Sequence, residues 1–145
     1  MVSKMGAAFE SLIPNGDVCM SYHGVHKYRR YLMRMLGEDV LVQYLKIMID
    51  IEAASTQSEL EDADKRYTEL MDSLKGDHAF GIRSFVDHSD CDGDFYSEQC
   101  KYIAKAFYAL LDTDIVTDED DRDTVRELAE LFESTAYNDG IVMIW

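Results

Sequence analysis

The chain has 145 residues, 47% of them apolar and 30% charged, a composition that supports one packed core and excludes an intrinsically disordered chain. Twenty-nine carboxylates against 14 lysines and arginines give a formal charge of −15, which repels nucleic-acid phosphates and anionic lipid, so neither direct nucleic-acid binding nor membrane binding is expected. No run approaches the roughly 18 continuous apolar residues of a membrane span, and residues 1–13 lack the basic start and apolar stretch of a secretory signal, which makes the cytoplasm the expected compartment.

In chain order, Ser3 to Leu12 reads as a short helix, ended by the turn formers Ile13, Pro14, Asn15, Gly16 and Asp17. Val18 to Tyr22 reads as a strand. Val25, Tyr28, Leu32 and Leu36 then recur at helical spacing until Gly37 closes the helix. Val40 to Ile51 is apolar on nearly every side, interrupted only by Gln43, Lys46 and Asp50, and is expected to be the most buried helix, with its β-branched content leaving a strand as the alternative. Thr56 followed by Glu59 is a capping-box pattern, and Leu60, Ala63, Tyr67, Leu70, Met71 and Leu74 mark one face of the helix that follows, as far as Gly76.

A shorter helix from His78 to Val86 leads into a polar loop, Asp87 to Tyr96. Ser97 is the expected cap of a helix whose Cys100, Ile103, Ala104, Phe107 and Leu111 face one way. Thr117 with Asp120 offers a second cap, for a helix burying Val125, Leu128, Ala129, Phe132 and Ala136 and stopped by Asn138, Asp139 and Gly140. Ile141 to Trp145 reads as a terminal strand, and Val18 to Tyr22 is its expected partner, since an isolated strand leaves its backbone unsatisfied. The expected fold is therefore mainly α (α+β): a single domain over residues 1–145, a compact helical body of five or six helices with a small pair of terminal strands.

The most distinctive segment runs from Asp87 to Cys100. Aligning Gly93 with the glycine of a calcium loop puts Asp90 and Asp92 at ligand positions, with Phe95 where such loops carry an aliphatic residue. His88 then stands at the first ligand position, where a hard cation wants oxygen, and Gln99 replaces the bidentate glutamate at the last. An irregular calcium site would draw on Asp90, Asp92, Asp94 and Glu98; the plainer reading is a loop in which Asp and Ser cap backbone donors and Gly93 supplies a positive φ.

The His88, Ser89, Asp90, Cys91, Asp92, Gly93 run, followed by Cys100 on an amphipathic helix and by the short apolar segment Ile141 to Trp145, resembles a family of small uncharacterised bacterial and phage proteins of similar length. The resemblance covers mainly residues 80–145, with a looser match around Tyr22 to Leu36. It implies the helical fold and a role for the loop, and it implies no reaction.

Zinc would need His23, His26, His88, Cys91 and Cys100 to converge at a spacing that matches no known zinc pattern. The three cysteines, Cys19, Cys91 and Cys100, form no CxxC pair and suggest no disulfide scaffold. Cys91 near His88 is the one arrangement with the elements of a nucleophile and base, but the surrounding aspartates disfavour the thiolate. The eight glycines form no phosphate-binding pattern. No residue is assigned as catalytic and no cofactor is expected.

Two charge clusters remain. Lys27, Arg29, Arg30 and Arg34 lie on one helix, and Arg29, Arg30 and Arg34 near His88 would hold a small anionic ligand. The carboxylates of Asp112, Asp114, Asp118, Glu119, Asp120, Asp121 and Asp123 surround a helix start, where some complement the macrodipole. Their number exceeds what capping needs. Solvation alone is the plainest role for such charge. The functional expectation is a non-enzymatic module that binds a protein partner's basic surface through Asp114, Asp118, Glu119, Asp120, Asp121 and Asp123, as an inhibitor, immunity protein or phage anti-defence factor does; a metal-responsive protein and a small-anion binder are the alternatives.

Overall fold

The computed structural model describes residues 6–11, 18–88, 93–138 and 140–144. Six helices form its bulk: α1 (Tyr22–Met35), α2 (Glu38–Ala53), α3 (Gln57–Ser73), α4 (Ala79–Val86), α5 (Ser97–Leu111) and α6 (Glu119–Tyr137). Four short strands accompany them, β1 (Gly6–Ser11), β2 (Val18–Ser21), β3 (Gly93–Phe95) and β4 (Val142–Ile144). The mainly α class and the helix count agree with the sequence reading.

Local chemistry sets several helix boundaries. At Gly37, φ is +139°, a conformation that side chains rarely adopt, and there the chain leaves α1 and enters α2. Thr56 caps α3 by accepting from the Glu59 N–H at 3.1 Å. For α5 the cap is Tyr96 and not Ser97, because the Gln99 side chain reaches back to accept from the Tyr96 N–H at 3.0 Å. For α6 it is Asp118, whose carboxylate accepts from the Asp121 N–H at 3.0 Å, in place of the expected Thr117 and Asp120 pair.

The strands depart furthest from expectation. Residues 6–11, read as helical, form β1, which pairs antiparallel with β2 on one side (Phe9 opposite Val18) and with β4 on the other (Phe9 opposite Ile144). β3 adds to the far side of β4, giving the order β2-β1-β4-β3. The segment at residue 18 therefore does not pair with the one at residue 142; β1 lies between them. The reason is packing: Phe9 is fully buried, with its ring 5.8 Å from Phe85, 6.3 Å from Phe95 and 6.2 Å from Phe132.

Those rings belong to one aromatic centre supplied by β1, α4, β3, α5 and α6. Phe107 meets Phe85 at 5.0 Å, edge to face, and Phe132 meets Phe95 at 5.2 Å in the same way. Around it α5 buries Cys100, Ile103, Ala104, Ala106, Phe107 and Leu110, and α6 buries Val125, Leu128, Ala129, Leu131 and Phe132. α4 lies so close to α5 that a Cβ on Gly81 would overlap the Tyr102 carbonyl. α2 is not the most buried helix. It packs on α1 and α3, burying Leu41, Tyr44 and Ile47, while Val42 and Ile49 stay 62% and 64% exposed.

Candidate functional site

The acidic segment lies largely at the surface. Asp112, Asp114 and Asp118 are exposed on the connection from α5 to α6, and along α6 Glu119, Asp120, Asp123, Glu127, Glu130 and Glu133 are exposed as well. Asp120, Asp123, Glu127 and Glu130 follow one another at three- and four-residue spacing, so they share one helix face. Of the two cations within this stretch, one pairs with a carboxylate of the row and one does not. Arg122 donates to the Leu111 carbonyl at 2.8 Å and the Val116 carbonyl at 3.0 Å, fastening the connection, and Arg126 pairs with Asp123 at 3.0 Å.

Asp121 is the exception within the run. Only 8% exposed, it faces α1, where its carboxylate accepts from Lys27 Nζ at 2.7 Å, the Tyr31 hydroxyl at 2.7 Å and the Tyr28 hydroxyl at 3.3 Å. Burial opposes its charge, yet the bonds from Lys27 and Tyr31 outweigh burial and hold the carboxyl below its ordinary range. The same contact raises Lys27, and burial together with Asp121 pushes the Tyr31 hydroxyl up to about 12. Asp121, counted in the sequence among the partner-facing residues, is thus the joint between α1 and α6. The remaining five, Asp114, Asp118, Glu119, Asp120 and Asp123, are exposed.

Of Arg29, Arg30, Arg34 and His88, the structure brings Arg29 and His88 into contact. Arg29 is buried at 7% exposure and donates from its guanidinium to the His88 carbonyl. Arg34 lies on an exposed part of α1 and pairs with Glu38 at 3.0 Å, while Arg30 is half-buried. His88 serves the fold: its ring stacks on Phe95 at 3.8 Å and its Nε2 lies 2.9 Å from the Asp94 carbonyl oxygen. Gly93, at φ +108°, leaves room for that ring, which a Cβ would meet at 3.0 Å.

Of the calcium-like residues, Asp90 and Asp92 lie outside the described residues; Asp94 is exposed on β3 and Glu98 on α5. Gln99, aligned with the last ligand position, is engaged by the Tyr96 N–H. Among the described residues no three His, Cys, Asp or Glu side chains are grouped to hold a metal ion. Cys100 is fully buried, its thiol directed to the Phe95 carbonyl at 3.5 Å and pushed by burial up to about 12, a structural thiol and not a thiolate ligand. Cys91 lies outside the described residues, and with it the proposed approach to His88.

The extension of the acidic edge to Glu127 and Glu130 was missed from sequence, although the recurrence of carboxylates at 120, 123, 127 and 130 carries it. Among the described residues no helix is long and apolar enough to cross a membrane. No protein-family model matches the chain, and no curated protein or solved structure matches it either, so the likeness of the residue 88–93 loop to small bacterial and phage proteins remains a property of the sequence alone.

Proposed function

We propose that the chain is a non-enzymatic protein-binding module, of the inhibitor, immunity or anti-defence type, which lays the acidic edge from Asp112 to Glu130 on a basic surface of its partner. One observation carries this reading: Asp120, Asp123, Glu127 and Glu130 stand exposed in a row, continued by Asp112, Asp114 and Asp118 on the preceding connection. Neighbours in such a row are roughly 5–6 Å apart, and the row is about 15 Å long. A regular line of negative charge imitates a polyanion, and the surfaces that accept polyanions are the basic channels of nucleic-acid-binding proteins. With Asp121 set aside, the contacts that remain among the other five are the cap made by Asp118 and the exposed pair of Asp123 with Arg126, counted among the described residues.

The test compares the wild-type chain with a variant carrying Asp114→Asn, Asp120→Asn, Asp123→Asn, Glu127→Gln and Glu130→Gln, as baits in the native host. A partner held by the wild type at low salt, released at high salt and bound at least ~10-fold more weakly by the variant, about 1.4 kcal/mol, is the expected result. A partner that binds both chains equally, or whose binding ignores salt, refutes the proposal.

A further inference from the structure

α5 and α6 pack side by side and leave between them an open groove of about 460 Å³, floored by Ala104 and Ala136. The α5 wall carries Glu98, Lys101 and Lys105; each ammonium lies 5.4–5.6 Å from the Tyr102 ring centre, and neither lysine makes an ion pair among the described residues. The α6 wall is acidic: Glu133 lines the groove and accepts from the Tyr108 hydroxyl at 3.1 Å, and Glu130 adds its charge beside that same hydroxyl. At the end of α6, Tyr137 stands 89% exposed on the rim.

We propose that this groove is the interface of a homodimer, occupied by the same face of a second copy of the chain. The charge pattern selects both the occupant and its orientation. The α5 wall carries two ammonium groups beside Glu98, the α6 wall carries no cation, and the floor is apolar, so the lysines of one copy are matched to the α6 wall of another, as a two-fold interface requires. A dyad running along the groove places the α5 wall of each copy over the α6 wall of the other, bringing Lys101 and Lys105 over the Glu133 and Tyr137 side twice. A dyad across the groove would set lysine on lysine. The chosen arrangement also covers Tyr137 and lays its ring toward the lysines of the other copy, where a cation–π contact is available. At about 0.15 M salt, screening over roughly 8 Å confines the repulsion between two acidic bodies, so the matched walls decide the contact. The groove lies toward the C-terminal end of α6 and the acidic edge extends to its N-terminal end, so the dimer would present the part of that edge from Asp112 to Glu127 twice, with Glu130 at the border of the contact.

Sedimentation equilibrium of the full chain from about 5 to about 500 µM tests this. The wild type is expected to move from the 16.6 kDa monomer toward twice that mass. The pair Lys101→Glu and Lys105→Glu, the pair Glu130→Lys and Glu133→Lys, and the single change Tyr137→Ser each raise the dissociation constant at least ~10-fold, about 1.4 kcal/mol. All five positions but the last are charged and exposed, and unchanged far-ultraviolet circular dichroism certifies the fold. Mixing the two charge-reversed chains restores a dimer, because every wall again faces its opposite. A wild type that remains monomeric throughout, variants that dimerise like the wild type, or a mixture that stays monomeric overturns the proposal.

Discussion

Replacing Asp121 by alanine isolates the joint between α1 and α6. The carboxylate holds one ammonium and two phenolic hydroxyls, at 2.7, 2.7 and 3.3 Å. A hydrogen bond to a charged group contributes about 1.5–3 kcal/mol. Lys27 keeps 38% of its side chain in solvent and rehydrates, so its share falls at the bottom of that range or below it. Tyr31 loses a short bond, and the longer Tyr28 bond counts for less. The expected loss is about 3 kcal/mol for Asp121→Ala and about half that for Asp121→Asn, which keeps an acceptor. Urea unfolding followed by far-ultraviolet circular dichroism measures it as a lower midpoint at constant slope. Asp120→Ala, one residue away on the exposed face, shifts stability by less than about 0.5 kcal/mol. An Asp121→Ala cost as small as that of Asp120→Ala would refute the assignment of Asp121 to structure.

The same cluster gives stability a defined pH window. Asp121 has a lowered folded value, so its contribution is complete above about pH 4 and disappears as pH falls through that lower value; Tyr31 has a raised value, so its contribution is complete below about pH 10 and is lost as pH climbs to about 12, and Lys27, also raised, loses its share as pH rises above the ordinary lysine range. Subtracting the acid limb of Asp121→Asn from that of the wild type leaves a sloping difference below about pH 4, and a flat difference contradicts the cluster. Gly81→Ala forces α4 away from the Tyr102 carbonyl and is expected to cost about 2 kcal/mol despite alanine's better helix propensity, seen as a lower melting temperature; an unchanged or higher melting temperature refutes the close approach.

The helices were readable because their signals are local. Leu60, Ala63, Tyr67, Leu70 and Met71 repeat at turns of a helix, and Thr56 announces where it starts. The strands were not, because each exists through a distant partner. Gly6, Ala7 and Ala8 have little intrinsic preference for extended structure, and three-residue β3 makes sense only beside β4. α2 misled for a different reason: apolar residues around its whole circumference suggested complete burial, but the neighbours cover one side and leave Val42 and Ile49 outside. In the site, charge was visible and direction was overlooked. Asp121 precedes Val125, Leu128 and Phe132 at four, seven and eleven residues, the inward stripe of α6, and that phase alone separates it from Glu119, Asp120 and Asp123.

The position of β4 between β1 and β3 bears on how the molecule is made. During synthesis β1 and β3 both emerge before Val142–Ile144, and until that segment appears each has a backbone edge with nothing to bond. The packing of α5 on α6 needs no strand, but the sheet has to wait for β4. A chain ending before residue 142 and released from the ribosome would therefore leave β1 and β3 with open edges, a species prone to pair with its neighbours.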